Sequence, residues 1–298
     1  MRFVRVRTGL PVLALLALTA CGGPSDGAPA VSSGDPADCP GEILDVVVSV
    51  RAWGDVVRRL GGDCATVTTL PGPDEEAAPA DAVAGADLVV LNGARYDDAA
   101  ADAVDAASGD PVVVRAADAA GVVAPGADPH LWYDPHAVPA VADAVADELA
   151  RLSPDAAPYF QAQHATWTAE LQPWLVAVAD LRTAVAGGTV AATDDVIGRM
   201  AAALELTDVT PPGFRRTARE GSQPLPDDLA GFQATLRAGA ADVLVTTPAD
   251  AAGPLREAAE AGGVPVVEVT EQPPGDASFV EWQLRQLAAL RAALVADR

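Results

Sequence analysis

From Ile43 onward the chain alternates short β-branched runs with alanine-rich stretches of helical length, and it does so twice. In the first half the strand candidates are 43–50 (ILDVVVSV), 64–70 (CATVTTL), 87–91 (DLVVL) and 111–114 (PVVV), with helices expected over 52–60 and 95–107. In the second half 189–193, 206–210, 242–247 and 264–270 repeat the pattern, with helices expected near 194–204, 226–238, 250–261 and 277–295. Alternation of this kind predicts parallel strands joined by crossover helices. The expected fold class is therefore α/β, two lobes of parallel β-sheet flanked by helices.

Between the two halves, 135–152 reads as one helix and 155–186 as a second, longer one ending at Gly187-Gly188. Tyr159, Phe160, Trp167, Leu171, Trp174, Leu175, Val178 and Leu181 recur along it at helical spacing. Pro173 lies inside it and is expected to kink it. One long helix between lobes is stiffer than several loose crossovers, so wide clam-shell opening is not expected.

The first twenty residues read as an export leader: Arg2, Arg5 and Arg7, then an apolar run from Leu10 to Leu18, too short to span a bilayer, then LTAC. Small residues before that cysteine resemble the bacterial lipobox, which would leave Cys21 as the lipid-modified first residue of the mature chain. Residues 22–42 hold too few large apolar groups to repay their ordering entropy and are expected to form a flexible tether. Export places the two remaining cysteines, Cys39 and Cys64, where disulfides persist, and a bridge between them would tie the end of the tether to the first strand–helix unit.

All nineteen basic residues are arginine, against 42 acids, and the formal charge of −23 becomes three units more negative once the leader is removed. Such a balance argues against nucleic-acid binding, which needs a basic footprint.

The stretch DPHLWYDPHAV, Asp128 to Val138, holds two of only three histidines in 298 residues. Their spacing, with Pro135 directly before His136, argues against a paired helical metal motif. Ligands of open α/β sheets sit beyond the carboxyl ends of the strands. That rule points to 71–79, the segment around 128–134, the helix start at 194 and the loop after Thr270. No Ser/His or Cys/His pairing supplies a nucleophile, so an enzyme is not expected.

VVVSVRAWGDVVRRLGGDCATVTTL, ADLVVLNGARYDD, DPHLWYDP with its following helix, and GGVPVVEVTEQPPGDASFVEWQLRQLAAL occur in this order. Together they resemble the zinc/manganese family of solute-binding proteins of ABC importers, in its actinobacterial-like lipoprotein form. The resemblance implies a metal held between the lobes by four side chains, two from each. It assigns His130, Glu271, and Asp194 with Asp195 as its neighbour. The first-ligand histidine motif is missing: its loop reads PGPDEEAAPAD, where Glu75 or Glu76 stands near the lost position. The plainer structural alternatives are an acidic turn in solvent for 74–76 and a helix cap for Asp194.

The resemblance thus divides the chain into a leader (1–20), tether (21–42), first lobe (43–150), linking helix (151–187) and second lobe (188–298). It implies a monomeric receptor, lipid-anchored on the outer face of the cell membrane, that carries Zn2+ or Mn2+ to an ABC permease. The missing histidine motivates an alternative, a degenerate member without high-affinity metal binding that serves as an accessory or adhesive surface protein.

Overall fold

The computed structural model describes residues 30–32, 38–70, 83–220, 222–248 and 253–296. Cys21, Glu75 and Glu76 lie outside the described residues. Two sheets form, as the alternation predicts. The first contains β1 (Ala30–Ser32), β2 (Leu44–Val48), β3 (Ala65–Thr69), β4 (Leu88–Leu91) and β5 (Val112–Arg115), in the order β1-β3-β2-β4-β5. β2, β3, β4 and β5 pair in parallel, Val46 facing Val67 on one side and Leu88 on the other. β1 was not expected: three residues of the stretch read as a tether pair antiparallel with β3 at the sheet edge. The second sheet contains β6 (Thr189–Ala192), β7 (Thr207–Asp208), β8 (Val243–Thr246) and β9 (Val266–Glu268), all parallel, in the order β7-β6-β8-β9.

The described helices are α1 (Arg51–Gly61), α2 (Asp98–Ala106), α3 (Ala116–Ala119), α4 (Ala137–Leu152), α5 (Ala157–Ala184), α6 (Gly198–Ala203), α7 (Pro212–Arg219), α8 (Pro226–Arg237), α9 (Pro254–Ala261) and α10 (Phe279–Val295). β4 is buried at all four positions, the pattern of a parallel strand covered on both faces. α1 turns Trp53, Val56, Val57 and Leu60 inward, and its Gly54 allows close approach to the sheet: a Cβ there would stand 2.5 Å from Thr69 Oγ1. α2 begins three residues later than expected. Asp97 ends the preceding loop by accepting from the Asn92 and Gly93 amides, which holds the backbone out of the helix. α7 has no counterpart in the expected pattern, because its burial rests on only Phe214 and Thr217.

α5 runs 28 residues, about 42 Å at the usual helical rise, with Pro173 inside it. Phe160, Trp167, Leu171, Trp174, Val178 and Leu181 form its buried stripe. α10 lies against both α5 and α1. Phe279 packs edge-on to Trp174 at 5.9 Å, and its amide donates to Asp55 on α1 at 2.8 Å. One continuous apolar core therefore runs from β2 through α5 and α10 to β8. Opening the lobes would expose the stripe, which gives the expected rigidity a physical cause.

Cys39 and Cys64 are joined in a disulfide across 25 residues. The segment behind it is seated at the α4–α5 junction, where the Glu42 amide donates to Ser153 Oγ at 3.0 Å. A Cβ on Gly41 would stand 2.6 Å from that same oxygen. The double variant Cys39→Ser/Cys64→Ser should lose about 3.5 kcal/mol of unfolding free energy on the chain-entropy model. Urea melts of the variant and of oxidised wild type check this, and superimposable curves would contradict it.

Candidate metal site

The site is built on a three-residue turn. Leu131, Trp132 and Tyr133 form a single 3-10 turn and are all buried. Trp132 is packed edge-on against Trp53, Tyr96 and His130, at 6.4, 5.1 and 5.5 Å. Asn92, itself buried, ties the turn down: it accepts from Trp53 Nε1 at 2.9 Å and donates to the Pro129 carbonyl at 2.9 Å. Its neighbours Gly93, Ala94 and Arg95 all have positive φ, of 76°, 51° and 65°. Two non-glycine residues in that region store backbone strain, and the loop they shape delivers Tyr96 to the site.

His130 is 7% exposed. Its amide and its Nδ1 both meet Asp128 Oδ1, at 2.9 and 2.8 Å, so the ring is oriented with Nε2 pointing away from Asp128. Nε2 lies 3.4 Å from Glu271 Oε1, on the loop that follows β9 in the other lobe. Two donors each about 2.1 Å from a tetrahedral ion stand about 3.4 Å apart, so this pair has the spacing of two ligands of one cation. Burial alone would lower the His130 pKa, but its bonds to Asp128 and Glu271 outweigh that and raise it to about 9. Glu271 shows the reciprocal effect: burial pushes its carboxyl up, while His130 and the Tyr96 hydroxyl hold it below the usual carboxylate range.

The Glu271 loop is fixed from several directions. Tyr96 Oη donates to Glu271 Oε1 at 2.9 Å and accepts from Gln272 Nε2 at 3.1 Å, while Gln272 Oε1 accepts from the Ala52 amide at 3.0 Å. Thr270 is held by Tyr133 Oη at its carbonyl, Gln286 Oε1 at its amide and Trp282 Nε1 at its hydroxyl, all within 2.8 Å.

The third position is the end of β6. Asp194 accepts from the Val196 amide at 3.1 Å and so caps the 3-10 turn Asp195–Ile197. Asp195 is the acid that interacts electrostatically with Asp128 and His130. Burial and Asp128 raise its pKa, against the Arg219 guanidinium that pairs with it. Gly198 admits this approach: a Cβ there would stand 2.7 Å from Asp128 Oδ2 and 3.6 Å from Asp195 Oδ1. Arg199 then bridges the lobes, donating to the Asp128 carbonyl at 2.8 Å and to Asp134 Oδ2 at 3.1 Å.

The structure thus brings His130 and Glu271 together and sets Asp195 beside Asp128, while the Asp194 carboxylate caps a turn. Among the described residues no three His, Cys, Asp or Glu side chains form a ready cation cage. His136 is exposed at the start of α4, and His164 pairs with Asp143 at 2.8 Å, linking α5 to α4 away from the site. Sequence reasoning missed Tyr96, Gln272, Arg199 and Arg219. Asp128 carried a readable signal, since an acid two residues before a histidine can bond both its amide and its ring.

A model of the family described as zinc-uptake complex component A, periplasmic, matches residues 46–293. The chain belongs to that family. Its members are solute-binding components rather than enzymes. Among solved structures, the solute-binding protein FpvC from Pseudomonas aeruginosa in complex with Mn2+ has 20% identity and a TM-score of 0.71, covering 86% of this chain and 100% of that one. The periplasmic zinc-binding protein TroA from Treponema pallidum has 19% identity and a TM-score of 0.69, over 85% and 99%. The laminin-binding protein Lbp of Streptococcus pyogenes has 19% and 0.69, over 84% and 99%. At these identities the likeness establishes the zinc-uptake family's shared fold.

Within that fold Gly198 is the glycine at which an added methyl group would crowd Asp128 beside the site. Gly198→Ala should cost about 1–3 kcal/mol through overpacking against Asp128. Chemical denaturation measures it, and wild-type stability would refute the close approach.

Proposed function

We propose that the protein captures Zn2+ or Mn2+ between its lobes, outside the cytoplasm, and passes it to an ABC permease. The observation that carries this reading is the 3.4 Å approach of His130 Nε2 to Glu271 Oε1 from opposite lobes. Asp128 on the opposite ring nitrogen is the outer partner that metal-binding imidazoles commonly have, fixing orientation and raising basicity. Asp195 or Asp194 would supply a carboxylate from the second lobe, and Glu75 or Glu76 one from the first. One imidazole with three carboxylates is a hard, anionic set that suits Mn2+, while Zn2+ keeps the higher intrinsic affinity. The match to the zinc-uptake family and the similarity to the zinc-binding TroA and to FpvC in complex with Mn2+ support the same pair of cargoes.

Titration calorimetry of chelator-treated protein tests the site. Wild type should bind one Zn2+ or Mn2+, and His130→Ala and Glu271→Gln should each weaken binding at least tenfold, or about 1.4 kcal/mol. Glu75→Ala/Glu76→Ala should weaken it if the acidic loop contributes a ligand. Unchanged affinity in the His130 variant would reject the site. The second reading, an adhesive surface protein, draws support from the first-lobe loop without histidine and from the laminin-binding protein of similar fold. A wild type that takes up neither metal would favour it.

Anchoring through Cys21 is part of the same proposal, supported by the LTAC sequence after the Leu10–Leu18 run. Cys21→Ala should move the protein from the membrane fraction to the soluble fraction of fractionated cells. Full membrane retention of that variant would refute the lipid anchor.

A further inference from the structure

We propose that Arg219 sets the affinity of the site, acting as an internal counter-cation that an incoming metal ion must displace from Asp195. Arg219 Nε donates to Asp195 Oδ2 at 2.8 Å and Nη2 to Oδ1 at 3.1 Å, so the planar fork engages both carboxylate oxygens. With both oxygens accepting from the fork, Asp195 has fewer free lone pairs and less charge to offer, so it is a poorer ligand until the fork leaves.

Three features make departure possible. The Asp195 side chain is 13% exposed and that of Arg219 is 53% exposed, so the carboxylate is fixed and the arginine reaches in from solvent. Arg219 is the last residue of α7, whose buried contacts come from Phe214 and Thr217, so swinging it out unpacks nothing. A cavity of about 390 Å3, lined among others by Asp128, Asp194, Asp195, Arg199, Arg215 and Arg219, gives the side chain room to move.

Charge supplies the reason for the exchange. Asp195 and Asp128 flank Gly198, where a Cβ would come within 3.6 and 2.7 Å of their oxygens, and like charges so placed need a cation between or beside them. Arg219 is that cation on the Asp195 side, while the Asp128 carboxylate is turned to His130. A divalent ion held by His130 and Glu271 would repel the guanidinium and attract the carboxylate, which favours release of the fork and capture of Asp195. Arg215 is the natural comparison. It lines the same cavity and carries the same charge, but pairs with Asp208.

This inference rests on the reading of His130 and Glu271 as metal donors. The test measures Zn2+ and Mn2+ affinity by competition against a chromophoric chelator for wild type, Arg219→Gln, Arg215→Gln, Asp195→Asn and the double variant Arg219→Gln/Asp195→Asn. Arg219→Gln should bind roughly tenfold more tightly than wild type, the worth of a half-exposed charge-assisted fork. Arg215→Gln should stay within about twofold of wild type, since it changes net charge without freeing Asp195. Arg219→Gln should have no effect in the Asp195→Asn background. Arg219→Lys, which keeps the charge but not the fork, should fall between wild type and Arg219→Gln. Wild type that binds no metal would overturn both the site and this inference. Wild type that binds metal, with Arg219→Gln unchanged or weaker, overturns the Arg219 assignment alone. Equal tightening by both arginine variants, or tightening that persists without Asp195, also overturns it, because the effect would then be one of net charge.

Discussion

The structure depends on the burial of one turn, Leu131 to Tyr133, between the two sheets. Trp132 closes it on the first-lobe side against Trp53 and Tyr96, and Tyr133 on the other against Trp282. Its backbone is used as well: Gln283 on α10 donates to the Trp132 carbonyl at 3.0 Å. His130 and the Thr270–Glu271 loop therefore take their positions from the same few side chains. Aromatic rings are well suited to this task, since they bury large rigid surfaces while tyrosine and tryptophan keep a polar edge for directional bonds. The site inherits its precision from the core and not from its own loops.

Around that hub the electrostatics are nearly balanced by close neighbours, across the lobes for Asp134 and Glu271 and within the second lobe for Asp195. Asp134 meets Arg199, Glu271 meets His130 and Tyr96, and Asp195 meets Arg219. A chain with 42 acids and nineteen arginines has charge to spare on its surface, yet at the cleft each acid described has a named partner. Buried charge is tolerable only when paired and hydrogen-bonded, and here the pairs of Asp134 and Glu271 also join the two lobes.

Much of the fold was legible because parallel strands covered on both faces must be apolar throughout, as in LVVL of β4, and the helices between them carry periodic apolar stripes. Trp174 and Leu181 on α5 are such a stripe. The start of α2 was misplaced because the Asp97 side chain, not propensity, decides where the loop ends. Of the site, His130 and Glu271 could be read from their motifs. Tyr96, which meets Glu271 across 175 residues, and Arg199, which meets Asp128 across 71, could not. Their roles arise only when distant elements dock, and nothing in the local pattern of NGARYDD or VIGRM encodes the partner.

The disulfide at Cys39 has a mechanical side. β2 is flanked by β3 and β4, and tension applied through the chain before Leu44 would, without a cross-link, fall first on its hydrogen bonds. With Cys39, five residues ahead of β2, joined to Cys64, tension that passes β1 enters the core at the junction of α1 and β3 as well as at Leu44. The Glu42–Ser153 bond offers a second route into the long helix. A pull on the chain ahead of Cys39 would thus be shared between β3, α1 and the long helix, and β2 would not bear it alone.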